Sequence, residues 1–423
     1  MQVTEKTSSS FSWRSLLQLG FSGIAILGLW GVALYMLILG LYQVIAGGSL
    51  QGIDPSGFLL AGSLAWIGLL IVPSAWFALL KLANRVPRVP AGLTWDNVRG
   101  VIWLMVPVVL AGYGAAITPA IAWLVLPPLN VLAISIPVVW YLSLGGRGLR
   151  SSSPQSAWGV LGAGLVLGPG IILGLELVGA GVAVGVLVLW LAPLPGFMDE
   201  LQRLIQLLET TVTLDPIMFL PFVEKYLMRQ SVLTGGLLFI AGFVPLLEEF
   251  FKPIGLWLMN KQTLTPARGF LAGMLSGAAF GLFESLLQGV SGEEWVILAL
   301  ARGGTSLIHI FNSGLVGWGF ALAWERRSVW PWLTRYLVAV LIHGLWNGHT
   351  VLMALAFTPD QTLVGEVWGG IGLGVLGTLG VGCFVALLVI NRRLQREAFS
   401  LPPSEETVHT ASSLPPSPEE QSR

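Results

Sequence analysis

The chain has 423 residues, 54% of them hydrophobic and only 10% charged, with a formal net charge of zero and a mean hydropathy of +0.78. A soluble domain needs about 25% charged residues to cover its surface, so this composition excludes a water-soluble globule and points to a polytopic membrane protein. Zero net charge and the lack of a basic face also argue against nucleic acid as a partner. The single cysteine, Cys383, lies in an apolar run with no second cysteine to pair with, and reads as packing.

Apolar runs of the roughly 20 residues that cross a bilayer fall near 17 to 45, 57 to 82, 100 to 118, 126 to 144, 158 to 192, 231 to 259, 268 to 290, 295 to 323, 331 to 357 and 364 to 391. They predict an all-α fold, a polytopic transmembrane helix bundle of about ten spans. The first run is longer than the roughly 7 to 15 residues of a signal-peptide core and has no small-residue cleavage site, so it reads as a retained span. The fifth is long enough for two short passes broken at Pro169-Gly170. Orientation argues for one kinked helix instead, because cytoplasmic loops should hold the Lys and Arg excess.

With ten spans, Lys6 and Arg14, then Lys81, Arg85, Arg88 and Arg99, then Arg147 and Arg150, then Lys261 and Arg268, then Arg326, Arg327 and Arg335, and finally Arg392, Arg393 and Arg396 share one side. The connections near 50, 120, 292 and 360 hold no Lys or Arg. Both termini are then expected in the cytoplasm. Residues 1–192 form an N-terminal accessory region of about five spans, 193–230 an external segment, 231–392 a core of about five further spans, and 393–423 a disordered cytoplasmic tail rich in Pro, Ser and Glu. In the external segment Leu201, Leu204, Ile205 and Leu208 recur at helical spacing opposite Arg203 and Glu209, the pattern of a helix lying in the membrane interface.

The core spans carry ionisable groups, which cost roughly 3 kcal/mol each at mid-bilayer and therefore mark function by default. Glu248, Glu249 and Lys252 stand three and four residues apart on one side of the sixth span, just after Pro245. One lysine can neutralise only one glutamate, which leaves a carboxyl suited to acid–base work. In the seventh span Gly269, Gly273, Gly277, Gly281, Ser285 and Gly289 make a small-residue ridge for close helix approach, with Glu284 on its edge. Arg302, Thr305 and His309 form a stripe on the eighth span. On the ninth, His343 and Asn347 sit one turn apart, as a pair of oxyanion donors would. Counted along the spans, Glu248, Glu249, His309 and His343 lie near mid-membrane and Glu284 and Arg302 in the external half, so four helices offer a common locus.

The motifs Glu248-Glu249-x-x-Lys252, Phe280-x-x-x-Glu284, Arg302-x-x-Thr305-x-x-x-His309 and His343-x-x-Trp346-Asn347 resemble, in order and rough spacing, those of the PrsW family of bacterial intramembrane proteases. More distantly they are similar to the CAAX prenyl endopeptidases, whose first motif ends in Arg and second in His where this chain has Lys252 and Glu284. The resemblance covers about residues 231 to 350 and makes the five-span core a PrsW-like protease core. It implies a multi-pass protein of the bacterial inner membrane that cuts a membrane-anchored protein substrate, such as an anti-sigma factor, near the external face. Glu248 and Glu249 match the family's essential acidic pair, and His309 and His343 its histidine positions.

The reading that follows is an endopeptidase in which Glu248 or Glu249 activates a water with help from Glu284 or His309. His343 and Asn347 would stabilise the oxyanion, while Lys252, Arg302 and Thr305 support the carboxylates. No cofactor is expected; two Glu and two His could ligate zinc, but no His-Glu-x-x-His motif supports it. The alternatives are a non-catalytic membrane scaffold built on the same polar core and a proton-coupled transporter using it as a relay.

Overall fold

The computed structural model describes residues 12–46, 53–85, 98–210, 222–259, 264–289, 291–356 and 363–399. These residues form helices and no strand. Ten of the helices are long and apolar enough to cross a membrane. In chain order the spans are α1 (Trp13–Ala46), α2 (Ser56–Leu82), α3 (Met105–Ala116, entered through a 3₁₀ turn at Arg99–Leu104), α4 (Pro119–Gly145) and α5 (Pro154–Leu191). A non-spanning helix, α6 (Phe197–Thr210), precedes α7 (Gln230–Trp257), α8 (Pro266–Leu287), α9 (Trp295–Arg326), α10 (Trp330–Ala356) and α11 (Leu363–Phe399).

Local chemistry sets the helix starts. Ser153 accepts from the Ser156 amide ahead of Pro154, and Thr265 accepts from the Arg268 amide ahead of Pro266. Each pairs a side-chain cap with a proline in the first turn, where its missing N–H is not needed. Pro119 likewise opens α4, so that helix begins seven residues before the predicted 126, and Pro127, Pro128 and Pro137 lie inside it. Prolines within a span are tolerated where neighbouring helices satisfy the freed backbone groups. The fifth span is one helix, in line with the orientation argument, with a π turn at Ala163–Leu167 just before Pro169.

The predicted tail boundary at 393 needs correction, because α11 runs on to Phe399. Leu394 is buried there, Arg393 pairs with Glu397 one turn on, and Asn391 donates to the Gly145 and Arg147 carbonyls. These contacts tie the helix end to α4. Residues 400–423 lie outside the described residues.

The helices α8 and α9 are the buried centre, and the glycine ridge explains why. A Cβ on Gly269, Gly273 or Gly277 would run into the carbonyls of Gly317, Ser313 and His309 respectively. The two backbones therefore touch along three turns, the contact that small residues permit in membranes. Around this pair Ile67, Ile134, Leu165, Phe270, Met274, Ile308, Ile310 and Leu387 build the main apolar cluster. Trp295 anchors the start of α9: its indole N–H donates to Asn130 Oδ1 at 3.0 Å, and its ring covers Gly112 of α3.

The predicted interfacial helix is α6. It docks on the end of α5 through Phe197, which packs with Leu191, Phe222 and Tyr226. Lys225 donates to Glu200 and joins α6 to the turn that follows. Ile205 remains exposed.

Candidate active site

In α7 a π turn at Phe239–Phe243 leads into Val244–Phe251, and Pro245 removes one more backbone donor. The helix that follows buries Glu248, Glu249 and Lys252; Glu249 and Lys252 have no solvent exposure at all. The Lys252 ammonium pairs with Glu248 Oε2 at 2.7 Å and hydrogen-bonds to Glu249 Oε1 and His309 Nδ1, each at 2.8 Å. It also lies 4.5 Å from the centre of the Phe280 ring. The backbone is pinned as well, since Ser276 Oγ donates to the Lys252 carbonyl at 2.5 Å.

These bonds assign both imidazoles. His309 Nδ1 accepts from the ammonium, so its Nε2 carries the proton and donates to Glu284 Oε2 at 2.7 Å. His343 Nδ1 lies 2.8 Å from Glu249 Oε1 and must be the donor there, because the carboxylate can only accept. That leaves His343 Nε2 with its lone pair, 3.7 Å from Glu248 Oε2. The two rings stand edge to face with centroids 5.3 Å apart. At the far side Arg302 Nη1 donates to Glu284 Oε1 at 2.9 Å.

The network thus joins Glu248, Glu249, Lys252, Glu284, Arg302, His309 and His343 from four consecutive spans. Thr305 and Asn347 lie outside it. Thr305 Oγ1 donates to the Ala301 carbonyl at 3.3 Å and accepts from Trp346 Nε1 at 3.3 Å. The Asn347 amide donates to the Ile240 carbonyl in the π turn of α7 at 3.4 Å. One further acidic side chain, absent from the motifs, belongs with this group. Glu176, the one charged residue of α5, is within electrostatic reach of Glu248, Lys252 and Glu284 and has a sealed oxygen without a partner. Its signal in the sequence is a lone charge in an apolar run. Nothing in the spacing links it to the motifs, because α5 belongs to the stretch that reads as accessory.

Glu248, His309 and His343 bring candidate metal-ligand atoms within 4.8 Å of one another. Two histidines and a carboxylate are a donor set that zinc enzymes use, with bonds of about 2.0 to 2.2 Å. The position is nevertheless held by Lys252, whose ammonium lies 2.7 Å from Glu248 Oε2, 2.8 Å from His309 Nδ1 and 3.4 Å from His343 Nδ1. An ion bonded at that length to the same atoms would stand roughly 3 Å or less from a fixed cation. With the lysine in this place the residues do not fit a metal.

Carboxylates, histidines and their counter-ions gathered among ten helices long and apolar enough to cross a membrane define a functional site within the bundle. Residues 171–369 match the family described as PrsW family intramembrane metalloprotease. The matched segment, a little under half of the chain, runs from α5 into α11 and contains every residue of the cluster, so this part of the chain is similar to the PrsW-type membrane proteases. No curated protein and no solved structure matches the chain.

Proposed function

We propose that the protein is an intramembrane endopeptidase in which Glu248 activates a water to hydrolyse a peptide bond of a membrane-anchored protein substrate. The observation that carries this reading is the pair formed by Glu248 Oε2 and His343 Nε2, 3.7 Å apart, which the tautomer assigned to His343 makes two acceptors facing each other. The separation is too long for a direct hydrogen bond, and a water donating to both satisfies it. Glu248 is also the member of the acidic pair that retains some side-chain exposure, 10% against none for Glu249.

The two glutamates then divide the work. Glu248 takes the water proton as the oxygen adds to the substrate carbonyl carbon, and the C–N bond breaks as the amine nitrogen receives a proton. Glu249 holds Lys252 and fixes the His343 tautomer, and so orients the base without touching the reacting atoms. Lys252 and Arg302 provide positive potential for the oxyanion, while Glu284 holds His309 and Arg302. Asn347, one turn from His343 and with a second N–H beyond its bond to Ile240, is a substrate-facing donor. Thr305 and Trp346 brace the α9–α10 contact.

We assign the cation in this site to the lysine and not to a metal, and place the protein in a bacterial inner membrane with both termini in the cytoplasm. Regulatory cleavage of an anti-sigma-like substrate is the role that the family implies. The second half of α5, through Glu176, joins the core.

The test is cleavage of a single-pass substrate by purified protein in liposomes, with wild type compared against Glu248→Gln, Glu249→Gln and His309→Ala. Cleavage that survives all three would remove the proteolytic role from this cluster. Proton uptake without substrate, lost in the same variants, would instead identify a transporter.

A further inference from the structure

Far from the acidic cluster, the ends of three helices bring arginines together. Arg326 closes α9, Arg335 lies in the second turn of α10, and Arg393 stands near the end of α11. Two of them address one indole: the guanidinium carbons of Arg335 and Arg393 lie 4.2 and 5.7 Å from the centre of the Trp318 ring. The charges acting on Arg335 are Arg326 and Arg393, both of its own sign. Its Nη1 donates to the Pro331 carbonyl at 2.9 Å, and Arg393 Nε is held by Glu397 at 2.8 Å on its own helix.

Two donors at this place are sealed without an acceptor, Arg335 Nε and the Trp318 indole N–H, and Trp318 is only 8% exposed. Neither group can accept a hydrogen bond. Beside Glu397, which holds Arg393 Nε, these two donors call for an anion with several acceptor oxygens, since converging guanidinium groups repel until one joins them. The level in the membrane says where that anion comes from. Trp324, Val329 and Trp330 are exposed on the same helix ends, and tryptophan at the end of a span marks the headgroup layer.

We propose that Arg326, Arg335 and Arg393 seat the phosphate of an anionic phospholipid between the ends of α9, α10 and α11. Free phosphate offers the same oxygens, but the exposed tryptophans and apolar helix surfaces beside the cluster suit a lipid. The site braces the two helices that carry His309 and His343, with Trp318 nine residues from His309 along α9, about 14 Å at helical rise.

The experiment is native mass spectrometry of the full chain, washed free of lipid in detergent and offered phosphatidylglycerol, phosphatidylcholine or inorganic phosphate. Wild type should retain phosphatidylglycerol over phosphatidylcholine. The double variant Arg326→Gln/Arg335→Gln should lose about thirtyfold in retention, roughly fivefold for each arginine removed beside an anionic surface. Arg326→Gln alone, on an exposed helix end where misfolding is not expected, should lose about fivefold, and Arg150→Gln on the α4–α5 connection should lose nothing. Equal retention of both lipids, or wild-type retention by the double variant, overturns the proposal. Binding of inorganic phosphate without any lipid preference overturns the lipid assignment.

Discussion

Lys252 Nζ on α7 lies 2.8 Å from His309 Nδ1 on α9, a hydrogen bond between two fully enclosed groups on different spans. The contact sets the His309 tautomer and aims its other nitrogen at Glu284. It also puts a fixed positive charge among the atoms that a metal would need. The lysine is thus counter-ion, tautomer switch and cation at once.

Replacing it tests all three roles. Lys252→Met leaves Glu248 and Glu249 buried without their cation, which should cost about 3 to 5 kcal/mol in stability and abolish cleavage. Thermal unfolding in detergent measures the first and substrate cleavage the second. Lys252→Ala opens the space between Glu248, His309 and His343, and that variant should take up zinc where wild type does not. Metal analysis of the two purified proteins decides the point, and chelator should leave wild-type cleavage unchanged.

The two glutamates should separate on mutation. Glu248→Gln keeps the packing and removes the base, so turnover should fall by about 10² to 10⁴ with the unfolding temperature little changed. Glu249→Gln removes the negative charge that faces both Lys252 and His343, and should lower stability together with activity. Unfolding curves and single-turnover cleavage of the two variants, read side by side, distinguish a base from an orienting group.

Much of the fold and most of the site are legible in the sequence. Spans and count follow from hydropathy because a bilayer demands about 20 apolar residues. The four motifs identify the residues that meet because helical spacing puts Glu248, Glu249 and Lys252 on one side. Tertiary choices are less visible. Asn347 sits one turn from His343 in sequence, yet its amide answers a carbonyl in the π turn of α7, and no periodicity announces a π turn. Glu176 reaches the cluster only because α5 packs on α7, where a Cβ at Gly179 would strike the Phe243 ring. The end of α11 is polar in sequence but helical because Asn391 and Leu394 find partners and cover elsewhere in the fold.

The glycine ridge offers a test of how tightly position is held. A Cβ at Gly277 would meet the His309 backbone, including its carbonyl carbon at 2.8 Å, and the Ser313 Cβ at 2.8 Å. Gly277→Ala should therefore cost about 1 to 3 kcal/mol through overpacking and displace His309 from Glu284 and Lys252. Loss of activity with an intact but less stable bundle is the expected result. Gly174→Ala, where a Cβ meets nothing, serves as the silent control.

Outside the spans, the Glu200–Lys225 pair ties α6 to the following turn. The hydrogen bond from Lys225 holds the Glu200 carboxyl below its usual range, and the same bond holds Lys225 above its own. The depressed carboxyl contributes at pH above about 4.3, and its contribution is lost as pH falls through the lower folded value. The raised lysine contributes below about pH 10.4 and is lost as pH rises through its higher folded value. Hydrogen exchange in α6 should accelerate at both extremes in wild type, and Glu200→Gln should remove the acid dependence. Both groups are exposed, so the effect should be small and weaken with salt.

Glu176 is the remaining anomaly, a carboxyl on α5 whose electrostatic neighbours include Glu248 and Glu284, with one sealed oxygen and no partner. Glu248 and Glu249 share Lys252, and Glu284 has Arg302 and His309, so among the described residues Glu176 is the acid of this group without an ion pair. Such a group should be a burden on the fold, and Glu176→Leu should stabilise the protein by about 1 to 2 kcal/mol because it removes an unsatisfied polar atom. If the residue serves only packing, activity will rise or hold with stability. If it belongs to the reaction, cleavage falls while the unfolding temperature climbs, the opposed pair of changes expected where a site carries strain for function.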